Sequence, residues 1–233
     1  AVEPLFQDIS VHLPSGWTGI VGANGAGKTT FLKLATGLLT PDKGMVQTPV
    51  NSVYCPQRTD DQPEHFALLL RAASKAAALI RGQFGLQADW LDRWTTLSHG
   101  ERKRAQIAVA LWLAPDLLAI DEPTNHVDAE ARDILIQAVR TFQGVGLLVS
   151  HDRELLDTLC RQCLFIEPPH VTVRPGGYSK GTAVAEEEQN TILRQYALKK
   201  NSYKKLKREA ARRRDLTNQY HSRRSKKGIL KHD

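Results

Sequence analysis

Apolar residues fall along this chain in three different periods, and each predicts a different kind of element. Ile9, Val11 and Leu13 alternate with polar neighbours, so residues 1–16 read as strands with one face on a core, closed by the turn Pro14-Ser15-Gly16. Residues 17–21, 117–120 and 146–149 are short continuous apolar runs, as expected of parallel strands buried on both faces. Residues 50–54, 164–166 and 171–173 read as further short strands. Helical spacing covers residues 30–35, most of 64–114 (an Ala/Leu-rich helix over 67–80 and another over 101–113, ended by Pro115), 128–141 and 154–159. Strands alternating with helices argue an α/β fold with a largely parallel sheet.

The third pattern is the near-absence of a pattern. After Pro175 there is no proline, and Glu, Gln, Lys, Arg, Ala and Leu dominate. Residues 183–222 read as one long helix, roughly 60 Å at 1.5 Å per residue. Its apolar residues (Ile192, Leu193, Tyr196, Leu206, Leu216, Tyr220) are too sparse for a core element. Residues 228–233 read as a turn. This divides the chain into a domain at 1–181, with a helical part at about 58–114, and a helical extension at 182–233.

Charge sharpens that division. The net charge is +7, yet residues 170–233 hold 17 Lys/Arg against 6 Asp/Glu, a net +11, and the remainder is slightly acidic. So basic an extension implies a polyanionic partner, nucleic acid or a membrane surface. No apolar run approaches the ~20 residues of a membrane helix, so no membrane insertion is expected. Three cysteines are too few for a disulfide framework and suit a reducing compartment, the cytoplasm. Cys160 and Cys163 form a lone C-x-x-C, read as buried small apolar residues. A chain that begins at Ala1 and has Met45 as its one methionine reads as part of a longer protein.

The candidate chemistry starts where the first buried run ends. Gly22, Ala23, Asn24, Gly25, Ala26, Gly27, Lys28 and Thr29 fit G-x-x-x-x-G-K-S/T, the phosphate-binding P-loop. Its strand–loop–helix setting is the one the motif needs, with Thr30 continuing the helix. The glycines let main-chain N–H groups converge on phosphate oxygens at a helix N-terminus. Lys28 is placed to reach the β- and γ-phosphates of ATP, and Thr29 to ligate Mg²⁺. The run at 117–120 ends in Asp121-Glu122: the first acid suits Mg²⁺, the second suits activation of the attacking water. His151 follows the run at 146–149. Ligand chemistry belongs at such strand ends.

From here the chain resembles ATP-binding cassette (ABC) proteins. Leu97-Ser98-His99-Gly100-Glu101 is similar to their signature, commonly Leu-Ser-Gly-Gly-Gln; Gln57 matches the Q-loop, Asp128 the D-loop acid and His151 the switch histidine. The run Asp121-Glu122-Pro123-Thr124-Asn125-His126-Val127-Asp128, with the charged helix after it, looks like the F subfamily. The resemblance implies an ABC-type P-loop fold with a mixed-sheet core, a helical subdomain and, here, the start of a long basic linker. It implies that Glu122 is the general base, that His151 holds the γ-phosphate or the attacking water, and that Gln57 senses Mg²⁺. Ser98, Gly100 and Asp128 would serve a nucleotide held by a second cassette, in the same full-length chain or in a homodimer. Partners implied are the ribosome, its RNA and tRNA, met through residues 182–233 in translation or antibiotic protection. His99 departs from the signature's second glycine and adds bulk beside a phosphate; Phe6 is a weak substitute for the family's adenine-stacking aromatic. Only 41 positions separate Gln57 from Ser98, too few for a long inserted arm. The same cassette motifs also serve the ATPase subunit of a membrane transporter, and a vestigial cassette on an RNA-binding module is a third possibility. The Glu-Pro-Thr-Asn-His run and the basic helix argue against the former, and intact Lys28, Asp121, Glu122 and His151 against the latter.

Overall fold

The computed structural model describes the backbone of residues 4–229 and the side chains of residues 4–208. Its regular structure begins at β1 (Gly16–Gly22), followed by α1 (Lys28–Ala35), β2 (Ser52–Cys55), α2 (Phe66–Arg71), α3 (Lys75–Phe84) and α4 (His99–Trp112). Two short 3₁₀ turns, Ala88–Leu91 and Trp94–Thr96, join α3 to α4. Then come β3 (Leu117–Asp121), α5 (Ala129–Arg140), β4 (Val145–Val149), α6 (Arg153–Leu159), β5 (Cys160–Glu167), β6 (His170–Pro175) and α7 (Tyr178–Ile229).

The six strands form one sheet in the order β2-β3-β4-β1-β5-β6. All neighbours pair in parallel except β6, which runs antiparallel on β5, so the sheet is mixed. The continuous apolar runs are the central strands, and their alternate residues face two separate cores. Leu117, Ala119, Leu147 and Val149 pack with Ile20, Phe31 and Leu32 beneath α1. Leu118, Ile120 and Leu148 face the larger cluster, which includes Phe66, Phe84, Trp90, Trp94 and Ile107 from the helical region. Close packing is enforced at Gly146, where an added Cβ would come within 2.5 Å of the Trp17 ring. Trp17 is held there by its indole N–H, which donates to Val139 O at 3.0 Å.

Four expectations are corrected. Among the described residues before Gly16 there is no strand. The alternation is genuine, since Ile9, Val11 and Leu13 are half-buried between exposed neighbours. They make no ladder pairing among the described residues; Asp8 takes a left-handed φ of 52°, and Pro4 and Pro14 lack the N–H a ladder uses. The helix expected over 67–80 is two helices. Ala72 turns extended and Ser74 restarts the helix by accepting the Ala77 N–H. The Arg81 guanidinium then donates to Leu69 O and Ala72 O, which satisfies the carbonyl end of α2. The last helix begins five residues earlier than expected, because Asp157 accepts hydrogen bonds from the Ser179 main-chain N–H and hydroxyl and so caps its first turn. Gly228 and Ile229, expected in a turn, lie in α7; residues 230–233 are outside the described residues.

The chain divides into two compact units, Ala1–Thr182 and Ala183–Asp233. In the second, every side chain from Glu186 to Arg208 is exposed. No helix among the described residues is long and apolar enough to cross a membrane.

Candidate nucleotide site

Four neighbouring strands, β2-β3-β4-β1, deliver Gln57, Asp121 with Glu122, His151 and the glycine-rich loop from their C-terminal ends. The loop turns back on itself through left-handed glycines at Gly25 (φ 81°) and Gly27 (φ 97°). A Cβ at Gly25 would meet nothing within 4 Å, so the loop faces open space there. A Cβ at Gly27 would instead strike Leu5 Cδ2 at 2.9 Å and Phe6 Cζ at 3.0 Å. Phe6 is thus engaged in packing against the loop and, edge-on, against Phe31, rather than offered as a stacking platform. The N-cap of α1 is Gly27, with no side-chain cap, which leaves its first N–H groups available to an anion. Lys28 Nζ lies over the loop, donating to Gly22 O at 2.9 Å and Ala23 O at 3.0 Å.

Beside the loop, the Thr29 hydroxyl donates to Asp121 Oδ2 at 2.7 Å and the Tyr54 hydroxyl donates to the same oxygen at 3.2 Å. A hydroxyl and a carboxylate in contact are the hard oxygen donors that Mg²⁺ takes. Burial, reinforced by Asp121, pushes the Tyr54 hydroxyl well above its ordinary value and keeps it a donor.

Glu122 is buried, at 6% exposure, and its backbone is left-handed at φ 49°, a strain of roughly 1–2 kcal/mol for a non-glycine residue. Its N–H donates to Val149 O at 2.9 Å, which fixes the strained turn to β4. One carboxylate oxygen accepts the His151 main-chain N–H at 3.3 Å. The other, Oε1, is buried without a hydrogen bond, although His151 Nε2 lies 3.3 Å away. Burial pushes the carboxyl above the usual glutamate range, with the neighbouring His151 pulling the other way. A buried, unsatisfied carboxylate oxygen aimed beside an exposed imidazole is an arrangement suited to taking a proton. Behind it, Arg132 donates twice to Asp152 Oδ2, at 3.0 and 2.7 Å, and Asp152 caps α6, so the chain after His151 is held in place.

A second group gathers at the starts of α4 and α5. Ser98 caps α4 in a reciprocal pair with Glu101, and Asp128 caps α5 by accepting the Ala131 N–H at 2.8 Å. Gly100 packs between them: a Cβ there would lie 3.2 Å from Ala131 Cβ and 3.4 Å from Asp128 Oδ2. His99 is exposed, its ring 6.1 Å from that of His126. No hydrogen bond joins Ser98, Gly100 or Asp128 directly to Lys28, Asp121, Glu122 or His151 among the described residues. The structure thus brings the phosphate loop, both acids and His151 to adjacent strand ends, and gathers the signature residues at the starts of α4 and α5. The Gln57 side chain is exposed, and no hydrogen bond joins it to Thr29 or Asp121 among the described residues.

Two residues lie outside what sequence reasoning had singled out. Tyr54 ends on Asp121, a contact no spacing reveals. Lys103, buried at 3% exposure, donates to the main-chain carbonyls of Pro56 and Gln57. Burial lowers its ammonium to about 8. Its spacing from Ile107 and Ala110 was the available signal, since i, i+4, i+7 places all three on one helix face. Cys160 and Cys163 are buried and free, as is Cys55, which burial raises to about 12.

The family model described as ABC transporter matches residues 6–125. Among curated proteins, the probable ATP-binding protein YheS of Escherichia coli (strain K12) is 37% identical over 166 residues, covering 65% of this chain and 26% of YheS. The ATP-binding protein Uup of the same strain is 35% identical over 215 residues, covering 85% of this chain and 33% of Uup. The ATP-binding cassette sub-family F member 2 of Bos taurus is 33% identical over 190 residues, covering 74% and 30%. The chain thus spans about a quarter to a third of the length of these relatives. A solved structure, that of the ATP-binding cassette MJ0796 in a dimeric post-hydrolysis state bound to ADP and Pi, shares the fold with a TM-score of 0.59 at 18% identity, over 73% of this chain and 90% of that one.

Proposed function

From the premise that this chain belongs to the ABC transporter family of ATP-binding cassettes, with an F-subfamily member among its relatives, we propose that it hydrolyses ATP to ADP and phosphate in the cytoplasm and acts on the ribosome through its basic helix. The observation that carries the reading is the convergence of the phosphate loop, Asp121, Glu122 and His151 at adjacent strand ends, with one Glu122 oxygen buried and unbonded. The loop N–H groups and Lys28 bind the phosphates. Thr29 and Asp121, with Gln57 drawn in, would hold Mg²⁺, which neutralises charge on the β- and γ-phosphates. Glu122 accepts a proton from the attacking water as its oxygen bonds to the γ-phosphorus and ADP departs; His151 orients that water or the γ-phosphate. Ser98 and Gly100, at the start of α4 and with no hydrogen bond to these groups among the described residues, serve the nucleotide of a second cassette, and Asp128 packs beside Gly100.

Support for the ribosome over a transporter lies in the second unit. Residues 189–208 contain seven cations and no acid. Such a helix suits phosphate backbones, including those of ribosomal RNA and tRNA, and modulation of translation or protection from antibiotics would follow.

The nucleotide half of the proposal is tested by equilibrium binding of Mg·ATP and of AMP to the chain and to Lys28→Ala. Lys28→Ala is expected to weaken ATP on the order of a hundredfold, the worth of a hydrogen-bonded charge on a phosphate, and to leave AMP unchanged. Equal ATP affinity in both proteins would remove Lys28, and the loop with it, as the phosphate site.

A further inference from the structure

Lys103 is a cation in a position where cations are rarely tolerated. It projects from the second turn of α4, and its ammonium donates to Pro56 O at 2.9 Å, Gln57 O at 3.1 Å and Gln106 Oε1 at 3.0 Å. Three donors meet three acceptors, so the ammonium is fully used. None of the three is a carboxylate: every hydrogen bond of this buried ion goes to a neutral dipole, and Asp121 and Glu122 act on it only through space. An apolar side chain of similar length would fill the space at less cost in desolvation. What it would lose is the hold on two successive main-chain carbonyls of the segment after β2.

That hold joins two parts of the proposed site. The segment carries Gln57; α4 carries Ser98 and Gly100 at its start. Two further hydrogen bonds, Trp94 Nε1 to Asp60 O at 3.0 Å and Gln62 Nε2 to Leu91 O at 3.3 Å, lie farther along and reach the turns before α4, not α4 itself. We propose that Lys103 is a positioning residue that makes the Gln57 segment and α4 move as one body, so that nucleotide bound at the phosphate loop is felt at the signature residues. This rests on the reading of Gln57 as a residue that faces the metal and nucleotide. Lys103 itself touches neither.

Hydrogen–deuterium exchange on the full chain, with and without Mg·ATP, tests it. In the wild-type protein Mg·ATP is expected to slow exchange in residues 22–30, in 56–58 and, through Lys103, in 98–106, the last by about threefold or more. Lys103→Met keeps the unbranched stem and removes the donors. It is expected to retain protection at 22–30 and ATP affinity within about twofold, and to lose the response at 98–106. Lys103→Arg, which keeps a cation with donors, is expected to retain that response. If Lys103→Met does not fold, Lys103→Gln gives the same reading, since its amide stops one bond short of the carbonyls. An unchanged response at 98–106 in the Met or Gln variant overturns the proposal, as does a wild-type response confined to residues 22–30. No protection anywhere in the wild-type protein would instead remove the ATP-binding reading, and this proposal with it.

Discussion

Glu122→Gln is expected to lower multiple-turnover ATP hydrolysis on the order of 10²- to 10⁴-fold, the range of a lost general base, while ATP binding stays within about twofold. The carboxylate is nearly isosteric with the amide, so the hydrogen bond from the His151 N–H can persist. What disappears is the ability to take a proton from water. The same substitution has a second expected effect. Burial raises the folded-state pKa of Glu122 above its unfolded value. Its contribution to stability is therefore fully present below the unfolded pKa and is lost as pH rises through the folded one. The wild-type protein carries that penalty at neutral pH and Glu122→Gln does not. Thermal melts should show the variant more stable at neutral pH, with the gap closing as pH falls below the ordinary glutamate range. Undiminished turnover would take the role of base from Glu122; an unchanged melting difference across pH would say that its ionisation is not opposed by the fold.

Deleting residues 183–233 is expected to weaken binding to single-stranded RNA on the order of a hundredfold at about 50 mM salt, with ATP affinity unchanged. The cause is counterion release. If about four of the seven cations in 189–208 face phosphates, affinity of the intact chain should itself fall roughly fiftyfold between about 50 and 200 mM salt. The truncated chain should show little salt dependence. Filter binding across a salt series reads both slopes, and equal slopes would place the RNA contact elsewhere. The first unit, Ala1–Thr182, is compact on its own, which makes the truncation interpretable.

How far the sequence carried these conclusions depended on whether a residue's role was local. The continuous runs ending at Gly22, Asp121 and His151 were legible because a parallel strand buried on both faces has no polar alternative, and its end is where polarity can return. Asp128 was legible at the start of a helix, whereas the reciprocal cap that Ser98 makes with Glu101, readable within four residues, starts α4 two residues before the expected 101. The early strands were misread because alternation reports burial on one side and says nothing of a ladder partner, and Ile9, Val11 and Leu13 are half-buried without one. The break at Ala72 was missed because Arg81, nine residues on, satisfies the freed carbonyl. Tyr54 on Asp121 and the strained φ of Glu122 are products of the sheet order, since β2, β3 and β4 must be neighbours before either exists. Lys103 was overlooked because a lysine within Glu101-Arg102-Lys103-Arg104 reads as solvated charge until its helix face is counted.

The most direct test of the central claim, an ATP-controlled cassette that meets the ribosome through a basic helix, is co-sedimentation of the Glu122→Gln protein with ribosomes, with Mg·ATP and without nucleotide, across a salt series. The expected result is pelleting that requires ATP and declines with salt. Pelleting indifferent to ATP, or none at low salt with ATP bound, would contradict it.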